Sequence, residues 1–172
     1  MKSRLNIIKN KILEVILSNL VPPSERKIGV EVETFFYNKY FSRIPVNKGR
    51  EYSAENLMKD LSSLQKTSEN PSTYSLEPGG QLEWASSPYI SLHDIKSQYN
   101  KHLDFLRDVT KKQKIFPVDL SIDPIYEPKS INLINMKKYL LMNKMFLSTG
   151  TMGSWMMKNS ASVQINIDMT EK

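Results

Sequence analysis

The 172-residue sequence predicts an α+β fold built on an antiparallel sheet. Three patterns carry that reading. Apolar residues recur at helical spacing near the N-terminus and again over 92–109. Strict alternation marks 28–37 and 160–169 as strands with one apolar and one polar side. A Pro-Gly-Gly turn separates two short alternating stretches between 73 and 86. Helices and strands follow one another irregularly, with none of the repeated strand–helix–strand units that build a parallel sheet.

Each element has its own signal. Leu5, Ile8, Ile12, Val15 and Ile16 put one apolar stripe on a helix over 4–19, and Pro22-Pro23 stops it because proline cannot extend the ladder. Ile28, Val30, Val32 and Thr34 then share one side of a strand. After a polar loop, Ser53 caps a short helix whose Leu57, Leu61 and Leu64 turn inward. A loop covers 66–71, and two strands flank Glu77-Pro78-Gly79-Gly80. Ser91 with Asp94 resembles a capping box for the best helix, which aligns Leu92, Ile95, Tyr99, Leu103, Leu106 and Val109. A strand is expected over 115–122, a helix over 135–147 and a glycine-bearing loop over 149–154. The final strand places Ala161, Val163, Ile165, Ile167 and Met169 on the side that belongs against helices.

Composition narrows the chemistry. The chain has no cysteine, which excludes a disulfide scaffold, thiolate metal sites and a cysteine nucleophile. It fits a reducing compartment, so the expected localisation is cytoplasmic. No apolar run approaches the roughly 18–20 residues of a membrane span, and the N-terminal apolar stretch is broken by Lys9, Asn10, Lys11 and Glu14. Lys+Arg number 24 against 18 Asp+Glu, a net charge of +6. The basic residues are scattered, with short clusters at Lys111, Lys112, Lys114 and at Lys137, Lys138, and a small phosphorylated ligand suits this modest charge as well as nucleic acid does. Neither a nucleic-acid nor a membrane partner is expected.

Glu31 and Glu33 lie on one face of their strand, with Gly29 beside them. Their Cα atoms are expected ~6.5–7 Å apart, so the carboxylates repel unless water or a divalent cation separates them. A solvated edge strand and a Mg²⁺ site both answer to this pattern. Glu77 and Glu83 add two carboxylates around a tight turn that, taken alone, reads better as a plain hairpin than as a ligand-binding loop. The last strand contributes Ser160, Ser162, Gln164, Asn166 and Asp168 on one polar face, which is either solvated or a wall able to hold a metal–phosphate complex. His93 and His102 lie about half a rotation apart on one helix and read as solvated or helix-edge residues. The methionines between Met136 and Met157 read as core packing. The loop after Thr149 lacks the lysine spacing of a phosphate-binding loop. No side chain is assigned covalent catalysis.

The segments Ile28-Gly29-Val30-Glu31-Val32-Glu33, Leu76-Glu77-Pro78-Gly79-Gly80-Gln81-Leu82-Glu83 and Met156-Met157 leading into Ser160-Ala161-Ser162-Val163-Gln164-Ile165-Asn166-Ile167-Asp168 occur in this order in one group. The sequence resembles the N-terminal part of the plant and proteobacterial type of glutamate–cysteine ligase (γ-glutamylcysteine synthetase) from about Ile28 to Asp168. That resemblance implies a glutamine-synthetase-like sheet with helices on one face. It implies an ATP- and Mg²⁺-dependent ligase that catalyses the first step of glutathione biosynthesis. ATP phosphorylates the glutamate γ-carboxylate, and the cysteine amine attacks the acyl phosphate. Motif matching assigns Glu31, Glu33 and Glu83 to metal, with Glu77 beside them, and puts Gln164, Asn166, Ser160 and Lys138 against ATP or substrate. A related carboxylate–amine ligase with another acceptor, or a non-catalytic remnant that binds nucleotide or a protein partner, fits the same motifs.

Two positions depart from the pattern. Lys138 stands where the group usually has arginine, and a lysine does not reproduce a bidentate contact to carboxylate. Asn159 stands where many relatives carry arginine. Members of the group also continue well beyond the strand ending at Asp168. Residues 1–172 are therefore expected to be the N-terminal part of one catalytic domain, with a missing C-terminal segment as a candidate partner.

Overall fold

The computed structural model describes residues 2–65, 70–150 and 152–170, and the side chains from Arg4 onward within these ranges. Helix α1 (Lys2–Leu17) leads through a short 3-10 turn into the long strand β1 (Ile28–Asn38). Helix α2 (Ala54–Leu64) follows, then the hairpin β2 (Thr73–Leu76) and β3 (Leu82–Ala85). Helix α3 (Leu92–Gln113) precedes β4 (Ile115–Val118), and α4 (Lys137–Thr149), α5 (Met152–Asn159) and β5 (Val163–Ile167) complete the chain. The sheet is antiparallel at every strand pair. This is the α+β architecture expected from the alternation patterns.

β1 is the centre of the sheet. β3 pairs along one edge, Glu31–Thr34 opposite Ala85–Leu82, and β2 lies outside β3. β5 pairs with the first half of β1 and β4 with its second half. Because side chains alternate, the register sorts the sheet into two faces. One face carries Val30, Val32, Thr34 and Phe36 with Leu82 and Trp84. The other carries Gly29, Glu31, Glu33, Phe35 and Tyr37 with Glu83 and Ala85.

Helices α2 and α3 cover the first face. Ser53 accepts from the Asn56 amide while the Asn56 side chain accepts from Ser53, a reciprocal cap that starts α2. Leu57 and Leu61 are fully buried against Phe36, Leu76 and Leu82, each contributing about 1.5–3 kcal/mol of burial. α3 is capped by Ser91 alone, whose Oγ accepts from His93; Asp94 does not close a box. Its C-terminus ends at Lys114 in a left-handed conformation (φ 56°).

His102 departs from expectation: it is buried, not solvated, while His93 is exposed. Its ring stacks on Trp84 at 5.3 Å, and its Nδ1 lies 2.9 Å from the Tyr74 hydroxyl. Ser72 accepts from Trp84 Nε1 and donates to Gln65, which in turn donates to Tyr74. The polar atoms that line this aromatic pocket are thus paired, and burial depresses the His102 pKa to about 4.

Other expectations fail at the sheet's far side. Val163, Ile165, Ile167 and Met169 are exposed rather than packed against helices, since α2 and α3 do not reach β5. The α1 stripe, Leu5, Ile8, Ile12, Val15 and Ile16, is also exposed. Leu64, Leu92 and Leu103 stay outside the core. Of the methionine stretch, Met157 is buried, whereas Met136, Met145, Met152 and Met156 are exposed. β4 stops at Val118 instead of continuing to Ile122, which forms an isolated bridge to Ser160. The expected loop at 149–154 is shortened because α5 starts at Met152. The expected loop at 66–71 lies mostly outside the described residues.

Candidate functional site

The carboxylate cluster follows from the register. Glu33 sits directly opposite Glu83, and Glu83 directly opposite Ser75, so one row crosses three strands. Like charges facing each other across a ladder are destabilising unless something neutralises them. Glu77 begins the β2–β3 turn, where its amide donates to the Gln81 carbonyl and its own carbonyl accepts from Gly80. Gly80 takes φ 80°, the left-handed geometry this turn requires. Each of Glu33, Glu77 and Glu83 offers a carboxylate oxygen, and the three oxygens lie within 4.8 Å of one another.

Electrostatics mark Glu77 as the strained member. Burial pushes its pKa up to about 7, and the neighbouring carboxylates of Glu33 and Glu83 add to the rise. Lys138 opposes the shift, and Glu31 contributes least. All three triad members are half-buried. Hard oxygen donors at this spacing suit a small divalent cation, which would relieve the repulsion that raises Glu77.

The remaining sequence-chosen residues take distinct places. Glu31 lies one pair along β1 outside the triad, and its Oε1 accepts from Asn166 Nδ2 at 2.8 Å. Gln164 Nε2 donates to Glu33 Oε1 at 3.0 Å, and the Ser162 amide donates to Glu33 Oε2 at 2.9 Å. Asn166 and Gln164 therefore orient the glutamates from β5. Ser160 turns its Oγ back to the Met156 carbonyl, so its hydroxyl ends the helix instead of joining the polar face. Exposed Lys138 lies over the Tyr139 ring at 4.4 Å, and its charge opposes the rise at Glu77. At Gly29 an added Cβ meets Asn166 and Ser86 at 3.9 Å, ordinary contact, so glycine is not required there.

A buried clamp beneath the site was not legible as a motif. Arg43, from the polar loop after β1, donates to Asp123 Oδ2 at 2.9 Å, to the Lys158 carbonyl at 2.9 Å and to the Gly79 carbonyl at 2.8 Å. Its guanidinium also lies over the Phe35 ring. Burial works to raise the Asp123 pKa, but bonds from Tyr37 and from the Tyr126 and Ile125 amides, with Arg43, hold it below the usual range. Gly79 approaches the α5 backbone so closely that an added Cβ would stand 2.5 Å from Lys158 Cα. Gln81 is buried as well and donates to the Ser160 carbonyl. The turn that carries Glu77 is thereby fastened to the end of α5 and the entry to β5. Asn159, fully buried, donates to the Tyr126 carbonyl and leaves its Oδ1 without a partner.

The antiparallel sheet of this mixed α+β chain carries clustered carboxylates and orienting amides on one face. The family is specific: residues 27–172 match glutamate–cysteine ligase family 2, and the chain belongs to that family. It is 32% identical over 98 residues to a chloroplastic glutamate–cysteine ligase of Medicago truncatula, covering 57% of this chain and 19% of that protein. It is 26% identical over 148 residues to the Arabidopsis thaliana enzyme of the same description, covering 85% and 28%. Against glutamate–cysteine ligase B, chloroplastic, of Oryza sativa subsp. japonica it is 22% identical over 175 residues, covering 96% and 35%. The chain thus spans between about a fifth and a third of the length of these relatives.

Proposed function

We propose that this chain supplies the metal-binding part of an ATP- and Mg²⁺-dependent glutamate–cysteine ligase. The observation that carries the reading is the convergence of Glu33, Glu77 and Glu83 oxygens within 4.8 Å. Family membership supports it. Glu33, Glu77 and Glu83 would hold Mg²⁺, while Gln164 and Ser162 keep Glu33 aimed at it. Bound Mg²⁺ supplies charge neutralisation for ATP phosphates. The reaction links the glutamate γ-carboxylate to the cysteine amine through a γ-glutamyl phosphate, and the protein's share is alignment and electrostatic stabilisation. Lys138, exposed and acting on Glu77 through its charge, offers a cation to the carboxylate or phosphate of a bound substrate. The chain spans about a fifth to a third of these relatives' length, and we assign the remaining substrate contacts to the portion it does not cover. A cytoplasmic setting is our reading for this cysteine-free chain; the relatives above are described as chloroplastic. Among the described residues no helix is long and apolar enough to cross a membrane.

Calorimetry with ATP in the presence and absence of Mg²⁺ tests this reading. The expected result is ATP binding that requires Mg²⁺ and is lost in Glu33→Gln. ATP binding indifferent to Mg²⁺, or no heat under either condition, would contradict it and favour a scaffold that serves another partner.

A further inference from the structure

A cavity of about 550 Å³ lies between α4, α5 and the short turn Pro128–Ser130. It is separate from the carboxylate triad. Asn143 and Leu147 line it from α4, and Leu147 is nine positions beyond Lys138, half a rotation around the helix from the residue whose field reaches Glu77.

One of its charged groups lacks a counter-ion. The Lys158 ammonium donates to the Pro128 carbonyl at 3.0 Å, and among the described residues no carboxylate lies within 4.0 Å of it. Desolvation lowers its pKa, so the charge lacks the compensation a neighbouring anion would give. The walls supply flat apolar surface in Trp155, Leu147 and Pro128. The other lysine of the lining, Lys129, is already paired with Glu127 at 2.7 Å. One free ammonium beside an acidic residue selects for a single negative charge over a doubly charged phosphate.

We propose that this cavity binds a small aromatic monocarboxylate. The carboxylate pairs with Lys158 and the ring lies against Trp155. The site stands independently of the ligase reading, because none of its residues belongs to the triad.

The test uses the whole chain and 4-hydroxyphenylacetate as probe, followed by calorimetry and by Trp155 emission excited at long wavelength. Trp155 and Trp84 are the two tryptophans of the sequence, and Trp84 is 1% exposed, so a ligand-dependent change reports the cavity. The expected result is saturable binding, at least tenfold weaker for tyramine, which replaces the carboxylate by an ammonium. Lys158→Met should weaken the probe at least tenfold. Equal binding of probe and tyramine, tighter binding of 4-hydroxyphenyl phosphate, or no saturation would overturn the proposal. The ligand series decides the matter on the unaltered protein even if the Lys158 variant folds poorly.

Discussion

The two ends of the sheet are built to different standards. Behind β2 and β3, Trp84, Tyr74 and His102 interlock, and the polar atoms that line the pocket are paired through Ser72 and Gln65. At β5 the apolar flank of Val163, Ile165 and Ile167 is exposed, and the opposite flank is committed to holding glutamates. Stability is thus concentrated in the helix-covered half, while repulsive charge gathers at the junction of the two. A site that stores like charges needs a rigid neighbour to resist their separation, and the Arg43–Asp123 clamp ties the two halves together there.

That contrast is easiest to break in the covered half. Trp84→Ala should cost about 3–5 kcal/mol, because the large buried ring leaves a cavity lined by Tyr99 and His102. Ile165→Ala, on the exposed flank, should fall within about 0.5 kcal/mol of the parent. Urea unfolding midpoints compare the two directly, and similar losses would show that β5 is packed.

Arg43→Met should cost about 3 kcal/mol, since it strands a buried Asp123 carboxylate. Arg43→Lys should recover only part of that, as an ammonium cannot reach Asp123, Lys158 and Gly79 together. Thermal unfolding of both variants checks the order, and full recovery by lysine would reduce the clamp to a simple ion pair.

The halves also respond to pH in opposite senses. The folded His102 pKa is about 4 against 6.5 unfolded, so the unfolded chain binds the extra proton. Its contribution is lost as pH falls from about 6.5 toward 4. Glu77 titrates near 7 when folded against 4.5 unfolded, so it favours folding below about 4.5 and loses that contribution as pH rises through 7. The sharpest reading is a difference measurement. Glu77→Gln should gain stability relative to the parent between pH 5 and 8, and His102→Gln should show its smallest deficit at low pH. A stability gap between parent and Glu77→Gln that stays flat over that range would remove the strained carboxylate from the account.

Much of this was visible in the sequence, and the failures have physical causes. Alternation located β1 and β5, and the Pro-Gly-Gly turn located the hairpin. The shared face of Glu31 and Glu33 is legible because a strand's period needs no tertiary information. Which of them meet is a matter of register between strands, so the separation of Glu31 from Glu33, Glu77 and Glu83 was not readable. Gln164 and Asn166 were identified as polar-face residues, but their bonds to Glu33 and Glu31 depend on the same register. Arg43 sits in a polar loop where an arginine ordinarily signals solvent, and three of its acceptors come from distant segments. The burial of His102 escapes the sequence because it depends on which aromatics arrive from β2 and β3. The apolar side of β5 was read as core from pattern alone, yet burial requires a covering element that α2 and α3 do not provide.

The central claim is that Glu33, Glu77 and Glu83 form one cation site, and the titration of Glu77 itself tests it most directly. Carbon-detected NMR of the Glu77 carboxyl, without and with Mg²⁺, reads the charge that the triad feels. The account predicts a midpoint near 7 without the ion and a fall of more than one unit when Mg²⁺ is added. A midpoint that Mg²⁺ leaves unmoved would contradict it.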